Sequence, residues 1–80
     1  MKIAVAGTGY VGLSNAILLS QHNTVFALDL LPRKVEQINR RQSPIADREI
    51  EDYLGHHLLD LKATSDPGEA FSGAEYVFIS

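Results

Sequence analysis

The chain alternates between two periods. Short apolar runs of strand length are separated by segments with apolar residues three and four apart, as on one face of a helix. Lys2 to Ala6 reads as a strand rich in Ile, Val and Ala. A helical run follows from about Tyr10 to Gln21, apolar on most faces as a buried helix is, and Asn23 suits the left-handed conformation that ends one. Thr24 to Asp29 is a second strand, largely apolar and closed by an acid. Pro32 fits the first position of a second helix, since its fixed φ suits a helix start and its missing N–H would be unpaired there anyway. Val35 and Ile38 face inward on that helix, Glu36 and Arg40 form an i,i+4 ion pair outside, and Ser43-Pro44-Ile45 breaks it. Asp47 then caps a third helix with Ile50, Tyr53, Leu54, His57 and Leu58 on one face, a reading that Gly55 weakens.

From Leu59 to Thr64 the pattern changes to strict alternation, the mark of a half-exposed edge strand. Asp66-Pro67 with Glu69 is a capping-box-like start to a short helix that Gly73 ends. Tyr76 to Ile79 is continuously apolar, which predicts a central strand buried on both faces. Strands joined by helices predict an α/β fold with a parallel sheet and right-handed crossovers. With the edge-type strand third and the centre-type strand fourth, the expected architecture is the first half of a Rossmann doubly wound sheet, in strand order 3-2-1-4. A centre-type strand normally has a neighbour on its far side. Residues 1–80 are therefore expected to be a partial domain of a longer protein, truncated after the fourth strand.

Composition narrows the function. A net charge of -3 offers no basic patch for a run of phosphates, so nucleic acid is not an expected partner. The absence of cysteine excludes a disulfide scaffold, a thiolate metal site and a cysteine nucleophile within these residues. Lys2 followed by Ile3 to Leu19 has the outline of a signal peptide, but glycines and polar residues interrupt it and no small-x-small cleavage site is evident. A cytoplasmic protein without a membrane segment is expected. His22, His56 and His57 stand at no metal-ligand spacing, and adjacent histidines on a helix face different ways, so no metal is expected. Asp47, Glu49, Glu51 and Asp52 read as a solvated helix face, and no catalytic constellation is legible.

The chemistry lies in Gly7-Thr8-Gly9-Tyr10-Val11-Gly12, a G-x-G-x-x-G that follows a strand and opens a helix. Gly7 permits the tight turn, Gly9 lets the backbone approach a pyrophosphate, and Gly12 lets the helix pack close to the sheet. The N–H groups near Tyr10 and Val11 are unpaired at the helix start and, with the helix dipole, favour a diphosphate. A glycine-rich turn that binds nothing is the bland alternative. Asp29 stands where a Rossmann acid accepts hydrogen bonds from the adenosine ribose, which favours NAD over NADP, although Arg33-Lys34 nearby suit a 2′-phosphate. The bland alternatives are a loop acid for Asp29 and a solvated first-turn lysine for Lys34.

The run from Met1 to Ser14 resembles the start of the UDP-glucose/GDP-mannose dehydrogenase family, as do Leu28 to Val35, Ser43-Pro44-Ile45 with Asp47 and Glu49, and Ala74 to Ile79. The resemblance covers essentially the whole chain. It implies an NAD-dependent, two-step oxidation of UDP-glucose to UDP-glucuronate by a longer, dimeric enzyme. In this chain it implies that Val11 contacts the cofactor through its backbone, Asp29 contacts the adenine-side ribose, and Lys34 a further polar group of NAD. The family's catalytic cysteine and lysines have no counterpart in residues 1–80, so no catalytic residue is expected among them and these residues alone are not expected to be catalytically competent. GDP-mannose and UDP-N-acetylmannosamine dehydrogenases share the glycine motif. A nucleotide-sensing module without catalysis, or a Rossmann shape that binds nothing, are the competing readings.

Overall fold

The computed structural model describes residues 1–80. Its elements are β1 (Lys2–Ala6), α1 (Tyr10–Ser20), β2 (Thr24–Leu28), α2 (Pro32–Asn39), α3 (Arg48–His56), β3 (Leu61–Thr64), α4 (Pro67–Phe71) and β4 (Tyr76–Ile79). The four strands form one parallel sheet in the order β3-β2-β1-β4, as the pattern predicted.

The register sorts the side chains onto two faces. Ile3, Val25 and Leu61 lie in one row and Val5, Ala27 and Ala63 in another, and alternation puts both rows on the same face. There they pack with Leu13, Ala16 and Ile17 of α1, Ile38 of α2, and Ile50 and Leu54 of α3 in a single core. The row between them, Ala4, Phe26 and Lys62, faces the opposite way. On that side the Lys2 ammonium sits 4.2 Å from the Phe26 ring centre and donates to the carbonyls of Glu69 (2.8 Å) and Ser72 (2.6 Å). A cation at the end of α4 satisfies its orphan carbonyls and ties that short helix to β1.

The two edges of the sheet are treated differently. On β3, the Asn39 amide accepts from Ala63 N (2.8 Å) and donates to Ala63 O (3.0 Å), and the Arg41 guanidinium donates to Leu61 O (2.9 Å). These side chains do what a neighbouring strand would do, and they block edge-to-edge pairing. β4 pairs with β1 alone, and Tyr76, Val77, Phe78 and Ile79 are all exposed, from 46% to 82%. The expectation of a strand buried on both faces is thus corrected. An apolar run reports the preference of its side chains, and residues 1–80 cover them only in part.

Several local expectations also change. α1 buries one face only, leaving Val11 and Leu18 exposed, so it is not an enclosed helix. Asn23 is not left-handed; its backbone N and Nδ2 both donate to Leu19 O, which satisfies the helix end directly. α2 ends ahead of Ser43, because Arg41 turns left-handed (φ 62°) and its guanidinium donates back to Ile38 O. α3 stops at His56, so His57 and Leu58 leave its apolar face. His57 stacks on Tyr53 instead, and both His56 (3.1 Å) and His57 (3.8 Å) approach Asp52, against the expectation that they diverge. β3 begins at Leu61, with Leu59 buried just ahead of it. Asp66 caps α4 through Gly68 N, but Glu69 pairs with Lys62 (2.8 Å), so the capping box is only half formed.

Candidate cofactor-binding site

Parallel strands all end at one side of a sheet, so β1, β2 and β4 deliver Gly7, Asp29 and Ser80 to a common edge. That edge is where α/β sheets bind ligands, at the point where the strand order reverses, here between β1 and β4. Gly7 has φ +100°, a conformation L side chains rarely adopt, and its N–H donates to Leu28 O (2.8 Å). Gly12 is required for a different reason. A Cβ there would collide with the Gly7 carbonyl and come 2.5 Å from Ser80 Oγ. Close contact between α1 and the end of β1 therefore depends on it.

Gly9 is different again. Its φ of -67° suits any residue, and a Cβ on it would meet nothing within 4 Å. No protein atom demands a glycine at this position, which is the condition expected where a ligand must approach the backbone. Gly9 is also the N-cap of α1, and neither a side-chain cap nor an acidic first-turn residue occupies that helix start. α3 and α4, by contrast, are capped by Asp47 and Asp66. The first intrahelical bond of α1 runs from Leu13 N to Gly9 O (2.9 Å), which leaves the N–H groups of Tyr10, Val11 and Gly12 at the open end of the helix dipole. The Tyr10 and Val11 side chains are exposed, so their backbone is what the site offers.

Asp29 follows directly on β2 and is held through both its backbone and its side chain. Its backbone N donates to Thr64 O (3.1 Å) and its carbonyl accepts from Ser65 Oγ (2.9 Å). Oδ1 accepts from Leu31 N (2.9 Å), and Oδ2 accepts from both the N–H (3.3 Å) and the hydroxyl of Thr8. Lys34 Nζ lies 4.0 Å from Oδ2. Burial works to raise the Asp29 pKa, but the Thr8 hydroxyl, the Leu31 N–H, the Lys34 charge and the Thr8 N–H outweigh it and hold the carboxyl below its ordinary value. Asp29 is thus a fixed anion beside the open helix end. Lys34 is half-buried against it rather than a freely solvated lysine.

The structure brings together Gly7, Gly9, Tyr10, Val11, Gly12, Asp29 and Lys34, the whole set expected from the sequence. It adds Thr8, the intervening residue of Gly-Thr-Gly, which sequence reasoning passed over. A surface cavity between α1 and α3, lined in part by Tyr10, Ser14, Ile17, Ile50 and Tyr53, shares only Tyr10 with this set. No helix is long and apolar enough to cross a membrane.

Residues 1–80 match the model of the UDP-glucose/GDP-mannose dehydrogenase family, NAD binding domain. The chain is 51% identical over its whole length to a UDP-glucose 6-dehydrogenase of Streptococcus pneumoniae, of which it covers 20%. It is 43% identical to a UDP-glucose 6-dehydrogenase of Campylobacter jejuni and covers 21% of that protein. Among solved structures, it superposes in full on 19% of a GDP-mannose dehydrogenase from Pseudomonas aeruginosa, crystallised as a ternary complex, with a TM-score of 0.88 and 31% identity. For a UDP-glucose dehydrogenase from Pyrobaculum islandicum the TM-score is 0.89 at 27% identity, over 99% of this chain and 19% of that one. The chain thus spans about a fifth of the length of the curated relatives it matches.

Proposed function

The chain belongs to the UDP-glucose/GDP-mannose dehydrogenase family, as an NAD-binding domain, and from that premise we propose that it is the cofactor-binding N-terminal part of an enzyme oxidising UDP-glucose to UDP-glucuronate. NAD, when bound, supplies the hydride acceptor for the two-step oxidation. In this reading the backbone of Gly9, Tyr10, Val11 and Gly12 takes the diphosphate at the α1 N-terminus. Asp29 accepts a hydrogen bond from the adenosine ribose and repels a 2′-phosphate. Lys34, 4.0 Å from Asp29 Oδ2, adds its charge to the hydrogen bonds from Thr8 and Leu31 that hold Asp29 as an anion, and offers its N–H donors to NAD. Residues 1–80 bind and orient the cofactor, and the reacting groups come from elsewhere in the enzyme.

The observation that carries the reading is the uncapped start of α1 with open space around Gly9, set beside the fixed Asp29 anion. UDP-glucose is favoured as substrate by the relatives at 51% and 43% identity, both UDP-glucose 6-dehydrogenases. Incubating the intact protein with NAD and, separately, UDP-glucose, GDP-mannose and UDP-N-acetylmannosamine tests this directly. NADH formation with UDP-glucose alone is expected. NADH from one of the other sugars refutes the substrate, and tight NAD binding without any hydride transfer identifies a sensing module.

A further inference from the structure

We propose that Thr8 is a positioning residue for cofactor recognition, its hydroxyl fixing the Asp29 carboxylate so that Oδ1 is the one oxygen presented to the adenosine ribose. The inference rests on the reading of Asp29 given above and deepens it. Thr8 lies between two glycines of the phosphate-binding loop yet is only 1% exposed, an unusual burial for a polar loop side chain. Its N–H and its hydroxyl converge on the same oxygen, Asp29 Oδ2, across 21 residues of chain.

An ionised carboxylate has about four acceptor positions, two on each oxygen. On Oδ2 the Thr8 hydroxyl and N–H use both, with Lys34 alongside at 4.0 Å. On Oδ1 the Leu31 N–H uses one (2.9 Å). One position remains, and it belongs to Oδ1. Asp29 therefore holds a single ribose hydroxyl through one defined oxygen, rather than both hydroxyls symmetrically. Anchoring both oxygens also fixes the plane of the carboxylate. Because the anchor is part of the glycine loop, the diphosphate cradle and the ribose reader are one rigid unit.

The test is a double-mutant cycle on the intact protein, read by titration with NAD and with NADP. Thr8→Val keeps the side-chain shape and removes the hydroxyl. It is expected to weaken NAD about five- to tenfold, the scale of one hydrogen bond, and to leave NADP weakened less. Thr8→Ser restores the hydroxyl and is expected to bind NAD as the parent does. In an Asp29→Asn background, Thr8→Val is expected to cost little further affinity, since the two act through one interaction. Thr8→Ala makes the same predictions and replaces Thr8→Val if the valine disturbs folding. The proposal is overturned if removing the hydroxyl leaves NAD affinity intact, or weakens it equally with and without the Asp29 carboxylate. The second outcome would mark a merely structural role in the loop. If Asp29→Asn alone leaves NAD affinity unchanged, the reading of Asp29 fails and the proposal for Thr8 falls with it; if Asp29→Asn weakens NAD and Thr8→Val does not, the proposal for Thr8 alone is overturned.

Discussion

Gly9 and Gly12 belong to one motif, and the structure predicts opposite consequences for the same substitution at each. At Gly9 the backbone (φ -67°, ψ -173°) accepts alanine, and the new methyl meets no protein atom within 4 Å. Two small terms oppose each other there. Alanine restricts the unfolded chain, worth about 0.4–1 kcal/mol, but is a poorer N-cap than glycine by a similar amount. Folding stability is expected to stay within about 1 kcal/mol of the parent. In the proposed reading the methyl projects into the space the diphosphate takes, so NAD affinity is expected to fall at least tenfold. At Gly12 the methyl would run into the Gly7 carbonyl and the Ser80 hydroxyl, and one of the groups it meets is backbone. Overpacking of this kind costs about 1–3 kcal/mol or more, and α1 must move away from β1 to relieve it. Urea unfolding of both variants, followed by NAD titration of whichever remains folded, separates the two roles. Equal destabilisation at both positions, or an unchanged NAD affinity for Gly9→Ala, would refute the division of labour.

Asn39→Ala removes the amide that closes the β3 edge at Ala63 and is expected to lower folding stability by about 1–3 kcal/mol, since two backbone groups lose their partner. Urea unfolding checks this, and a concentration-dependent increase in size by light scattering should accompany it as the edge opens. The lowered Asp29 pKa makes a pH prediction. Its folded value lies below the unfolded 3.8, so its contribution to stability is complete above that pH and is lost as the pH falls through 3.8 towards the folded value. Stability measured against pH should show this acid loss in the parent and a shallower one in Asp29→Asn; parallel curves would contradict the pairing with Thr8, Leu31 and Lys34.

The order of elements and the arrangement of strands were legible because burial imposes two distinct periods, and those periods survive in the sequence. Ile3, Val25 and Leu61 show up as strand residues for the reason that they share one face of the sheet. Element ends were less legible, because single side chains decide them. Arg41 ends α2 by turning left-handed, a conformation assigned in advance to Asn23, and its compensation comes from carbonyls of residues distant in sequence such as Leu59 and Leu61. The continuous apolar run of β4 identified a strand that prefers cover on both faces. It carried no information about what residues 1–80 would lay over it. At the site, the glycines announced themselves through spacing and Asp29 through its place after a strand. Thr8 was overlooked because the motif leaves its position free. A hydroxyl residue there, with an acid at the end of the next strand, is the signal that could have found it.

In the function proposed, Asp29 reads the ribose of a cofactor held at the start of α1. Losing a hydrogen bond to a charged group costs about 1.5–3 kcal/mol, or roughly ten- to a hundredfold in affinity. The most direct measurement compares NAD and NADP affinities of the intact protein with and without Asp29→Asn. The parent is expected to prefer NAD. The variant is expected to bind NAD about ten- to a hundredfold more weakly, with the gap to NADP narrowed as Arg33 and Lys34 remain to attract the phosphate. A parent that prefers NADP, or a preference that Asp29→Asn leaves unchanged, would show that Asp29 serves only the turn into α2.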